Sequence, residues 1–231
     1  MFAAGSRPGA VGWLALLACV LLLAAPDAHA RRNSKFTVGL GAATNTVSGD
    51  FDGTSVYTSN PATGPNVYSA KLEKGSGPVV LGGIHINDSV GVDGLIVVTS
   101  HDGKSQAPVL ANQPLKATVT SLIVAMRLMA PMGENFELFG RLGLGVLGVG
   151  VDKNTVLPPS PVFQSSSFSG SALVAGVGAA LFFGEVGLEF GLLSQSGKLT
   201  SLSAAGQSGS IPDTTFKLNT AMIALTGHWG N

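Results

Sequence analysis

From residue 35 onward the chain alternates large apolar positions with small or polar ones at a period of two. The stretch 136–151, FELFGRLGLGVLGVGV, is the clearest case. Phe136, Leu138, Leu142, Leu144 and Val146 fall on one face, and Glu137, Arg141, Gly143 and Gly145 on the other. That is the period of a strand, not of an amphipathic helix. Five glycines in sixteen residues would also be costly in a helix interior. The charge sits mid-strand among glycines, opposite a continuous aliphatic face. A small soluble barrel turns its greasy face inward. The inverted arrangement belongs to a barrel in lipid with a polar interior.

Seven further stretches show the same alternation: 36–46, 77–87, 90–99, 115–130, 168–182, 185–199 and 214–229. In the last of them Phe216, Leu218 and Met222 fall out of phase with Ile223, Leu225 and Trp229, so a bulge near Ala221 is expected. The connections alternate too. Residues 47–76, 100–114, 152–166 and 200–213 read as long loops rich in Gly, Ser, Thr, Asn and Pro. Between them lie three short turns, at Asn87-Asp88-Ser89, at 131–135 and at Phe183-Gly184. The pattern predicts an all-β fold: an eight-stranded antiparallel, up-and-down transmembrane β-barrel, with both termini on the short-turn side.

Composition narrows this further. Charged residues are 11% of the 231, against roughly 25% in ordinary soluble domains. Net charge is zero, which points away from nucleic acid. After residue 30 no apolar run is long enough for a membrane helix. Before it, Arg7 precedes an apolar run from Ala10 to Ala25 and the small-x-small site Ala28-His29-Ala30. Residues 1–30 therefore read as a cleaved secretory signal peptide, and residues 31–231 as the barrel domain. Cys19 follows Leu16-Leu17-Ala18 and offers lipidation as the alternative, but the apolar run continues past it. Cleavage after Ala30 removes the one cysteine, and with it disulfide and thiol chemistry.

The candidate site is the lumen. His85, Asp93, Arg127, Arg141, Glu185 and Glu189 are assigned to the inner face, where buried charges must pair. Arg127 and Arg141 come level around the turn at 131–135, so the acids across the lumen are expected to hold them. Phe36, Phe136, Phe182, Phe183 and Trp229 gather at the short-turn ends, with Phe168 and Phe216 at the opposite ends, as candidate interfacial aromatics. Both tyrosines, Tyr57 and Tyr68, fall in the first long loop, the main candidate for external contact. No catalytic residues, cofactor or metal site are predicted. His101, beside Asp102 in a loop, and His228 lack a serine partner at strand spacing. Met126, Met129, Met132 and Met222 read as packing residues, not as a soft-metal site. Gly143-x-Gly145 is no nucleotide fingerprint without a βα unit around it.

The signal peptide, the eight alternating segments and the run Glu137-Leu138-Phe139-Gly140-Arg141-Leu142-Gly143-Leu144-Gly145 together resemble the bacterial outer-membrane β-barrel domain family, whose eight-stranded members include opacity-type surface proteins. The resemblance spans residues 35–229. It implies a Gram-negative cell outer membrane and surface-exposed loops, not a specific activity; the partners expected are the surrounding outer-membrane lipid and an extracellular or host ligand at the loops. The chain departs from the usual aromatic ending, since Gly230 and Asn231 follow Trp229. A structural or surface-interaction role is the expected function, with a narrow channel and a lipid-acting enzyme as alternatives.

Overall fold

A computed structural model describes residues 34–49, 56–60, 64–68, 70–105, 114–152, 166–204 and 207–230. The expected signal peptide and Cys19 lie outside the described residues. Among the described residues eleven strands run in the order β1 (Phe36–Ser48), β2 (Val56–Asn60), β3 (Gly64–Tyr68), β4 (Ala70–Leu72), β5 (Gly75–Asn87), β6 (Val90–Ser105), β7 (Pro114–Pro131), β8 (Phe136–Asp152), β9 (Ser166–Phe183), β10 (Val186–Ala204) and β11 (Gln207–Trp229). Eight of them form one antiparallel ring, β6-β5-β1-β11-β10-β9-β8-β7, closed by the pairing of β7 with β6. Closure leaves no open edge, which is the condition for strands to cross a bilayer. β4 adds to the upper end of β6, and β2 pairs with β3 in a separate two-stranded sheet.

The wall is inside-out relative to a soluble protein. Leu144 is 66% exposed on the outer face, whereas Arg127 is 1% exposed inside. Outward apolar residues make a continuous band from Trp229, Phe36 and Leu181 at the short-turn end to Ala42, Leu122, Val146 and Leu192. Above it the outer face changes to Ser, Thr, Asn and Lys. Each strand thus gives the band about seven to eleven residues, near the length that crosses hydrocarbon at a tilt. The turns are local chemistry. Asn87 Oδ1 accepts from the backbone N–H of Ser89 and of Val90, both at 2.9 Å. Gly133 and Gly184 turn at φ 90° and 68°, where a Cβ would be strained.

Four expectations need correction. Residues 200–213 are not a loop: β10 runs on to Ala204 and β11 begins at Gln207, its register partner. The register shifts between Leu199 and Ser201, opposite residues 211–213, where Pro212 has no N–H to give the ladder. Residues 100–105 belong to β6, so the second loop is shorter than its polarity suggested. Within residues 47–76, Val47 and Ser48 complete β1, and β2, β3 and β4 occupy much of the rest. Finally, β11 has no bulge near Ala221, because its pairing with β1 runs in unbroken register from Trp229 to Lys217.

Candidate functional site

The lumen is filled in layers. At the short-turn end, His228 Nδ1 lies 3.0 Å from Thr37 Oγ1 and its Nε2 lies 2.9 Å from Thr226 Oγ1. His85 joins this group, with Nε2 3.4 Å from Thr37 Oγ1 and Nδ1 3.1 Å from the carbonyl of Ser34. Phe182 meets the His228 ring edge-on at 5.0 Å. His85 therefore faces the lumen, but at its mouth and away from the charge network to which it was assigned.

The next layer holds the charges. Arg127 and Arg141 are direct cross-strand partners on β7 and β8. Two like charges at that separation need anions between them. Arg127 donates through Nη2 to Glu137 Oε1 at 3.0 Å and through Nη1 to Glu189 Oε2 at 2.7 Å, with Asp93 Oδ2 at 3.4 Å. Arg141 donates through Nε to Asp93 Oδ2 at 2.7 Å and through Nη2 to Glu189 Oε1 at 2.6 Å. Glu189 reaches both arginines from β10, across the lumen. Its row neighbours make room, since Ala180 and Ala224 flank it in register and are both small. Both guanidinium groups rest on Phe139, 3.9 and 4.5 Å from the ring centroid, a cation–π platform. Gly178 is required beneath it, because a Cβ there would overlap the Phe139 ring.

Glu137 was not among the expected network residues, although it shares the parity of Arg141 and that signal was sufficient to find it. Glu185 was among them and does not belong: it lies exposed in the turn before β10, one residue beyond the strand's alternation. Asp93, Arg127, Arg141 and Glu189 are brought together.

Above the charges the interior becomes apolar, contrary to the expectation of a polar lumen. One buried layer includes Leu81, Leu95, Ile123, Val174 and Leu193. A second, nearer the outer rim, includes Leu115, Val149, Phe168, Leu199 and Phe216. Polar pairs cross between them. Ser121 donates to Gln195 at 2.6 Å, and Asn45 donates to Thr99 Oγ1 at 2.8 Å. His101 is on β6, not in a loop. It is 1% exposed, with Nε2 3.0 Å from Thr99 Oγ1 and Nδ1 2.9 Å from the Glu73 carbonyl.

The aromatic assignments divide by face. Phe36 and Trp229 are 43% and 49% exposed, and they are register partners at the short-turn rim. Phe136 and Phe183 are half-buried there. Phe168, Phe182 and Phe216 are corrections: all three point into the lumen and are buried. The side chains of Tyr57 and Tyr68 lie outside the described residues. The methionines do not converge, with Met129 and Met222 inside, Met126 outside and Met132 in a turn. Among the described residues no group of three or more His, Cys, Asp or Glu side chains is placed to hold a metal.

A family model, the outer membrane protein beta-barrel domain, matches residues 15–221. The chain belongs to that family. It is a cell outer-membrane barrel, with the short turns on the periplasmic side. Solved structures share its fold at low sequence identity. OprG of Pseudomonas aeruginosa is 12% identical, covers 89% of this chain and 100% of its own, and gives a TM-score of 0.58. Ail of Yersinia pestis, solved in complex with the heparin analogue sucrose octasulfate, is 16% identical over 85% and 99%, with a TM-score of 0.50. Neisserial surface protein A is 13% identical over 84% and 97%, also at 0.50. No curated protein matches the sequence.

Proposed function

We propose that this family barrel serves as a surface-interaction protein that works from its outer rim, its lumen acting as a structural plug. The observation that carries the reading is the filled interior. Five charged side chains sit at 0–2% relative exposure across the lumen, and two buried apolar layers lie above them. Eight strands leave room for side chains, not for an aqueous channel. Structure is invested instead on the outer side. β1 stops at Ser48 opposite Lys217, while β11 runs on through residues 207–216, paired with β10 alone. The result is a lopsided rim with a long projecting hairpin on one side.

Ail, of like fold, was solved with a polysulfated sugar, which makes anionic glycans a sensible first probe. The test is capture of cells on immobilised glycans and matrix proteins. Cells displaying the wild-type barrel are compared with cells in which residues 201–210 are replaced by a tight turn. Loss of capture with surface display unchanged supports the reading; equal capture on every surface contradicts it. A catalytic role forms no part of the proposal. An altered lipid mass profile in expressing cells would argue for one.

A further inference from the structure

A groove of about 620 Å³ crosses the outer wall from Lys74 and Thr46 through Asn219 and Ser194 to Ala175 and Val177. It follows a single row of the sheet: Thr46 is opposite Asn219, Asn219 opposite Ser194, and Ser194 opposite Ala175. Tilted strands make that row oblique to the membrane. Thr46 lies in the polar belt above the apolar band of β1. Ala175 lies within the apolar band of β9, below Leu173, which is 68% exposed. The groove therefore begins among hydroxyl, amide and ammonium groups and ends on aliphatic surface facing hydrocarbon.

The charge around its upper end is one-sided. Lys217 and Lys198 are exposed on adjoining strands, opposite Ser196 and Thr215 respectively, just above the groove. Among the described side chains of β1, β9, β10 and β11, no carboxylate faces outward at this level; Glu73, exposed beside Lys74, is the nearest. On the far side of the barrel the pattern differs, since Lys116 stands directly opposite Asp102. A cationic patch above a small-residue groove that slopes into the bilayer is complementary to an anionic lipid. We propose that this groove is a lipid site: a phosphorylated headgroup sits against Lys74 and Lys217, and an acyl chain lies over Ala175 between Val177 and Leu192. Bilayer lipid is the source to which the site commits, because the lower end includes Ala175, Val177 and Leu192, which are exposed in the apolar band.

The test uses the folded barrel in phosphatidylcholine nanodiscs doped equally with phosphatidic acid and a free fatty acid. After mild detergent extraction, native mass spectrometry counts the lipids retained. Wild-type protein should keep phosphatidic acid in preference to both others. Lys74→Gln with Lys217→Gln should lower that retention about fivefold per lysine removed. Ala175→Trp should lower it by filling the groove, whereas Lys217→Arg and the far-side Lys116→Gln should leave it unchanged. All these positions face outward, so heat-modifiable gel mobility verifies that each variant folds. Equal retention of the three lipids, or no effect of the lysine pair, overturns the proposal. So does retention indifferent to Ala175→Trp, which is the behaviour of a soluble polyanion on the same lysines.

Discussion

Arg141 shows most sharply what the interior requires. It is buried at 3% exposure, and the two carboxylates it serves, Asp93 and Glu189, are buried at 1% each. Removing one partner of such a set strands the others without water. Arg141→Ala should therefore cost about 3–5 kcal/mol in denaturant titrations of the vesicle-embedded protein. Lys116→Ala, at an exposed pair on the outer belt, should cost about 1 kcal/mol or less. Adding Glu189→Gln to Arg141→Ala should recover part of the loss, because residues in one network are not additive. Zero coupling in that cycle would contradict the pairing. Parity along the strands was enough to bring Asp93, Arg127, Arg141 and Glu189 to one face. It also applied to Glu137, and it failed at Glu185, because alternation does not say where a strand begins. The height of His85 along the lumen depends on register and tilt, which a period of two does not encode.

At the scale of the element, facing can be tested on the strand that reads most clearly. Leu144 is near the middle of the outer apolar band, so Leu144→Arg should destabilise the folded barrel by about 2–4 kcal/mol in vesicles. An unchanged unfolding midpoint would mean the face is not in lipid. Strand existence was legible because the band imposes a strict alternation. Strand ends were not. Above the band the outer face meets water, so Ser100 to Ser105, residues 201–204 and residues 207–210 have the composition of loops while their backbones remain paired. The same change of surroundings explains the apparent phase slip in β11. Ile223 and Leu225 are outward because lipid lies outside them; Phe216 and Leu218 are inward because at their level the outside is aqueous and the lumen apolar. The backbone never slips, yet what an apolar residue signifies reverses halfway up the strand. Phe168 was misassigned for the same reason.

For the whole molecule, a ring closed by β6 and β7 and filled from within leaves two surfaces free to act: the wall that meets lipid and the rim that meets the outside. The central claim is that the lumen is a plug. Planar-bilayer recording of the folded, heat-modifiable wild-type protein tests it most directly. The account predicts a flat current at either polarity. Reproducible single-channel steps from the wild-type barrel, abolished by heat unfolding, would contradict it and make the lumen itself the functional element.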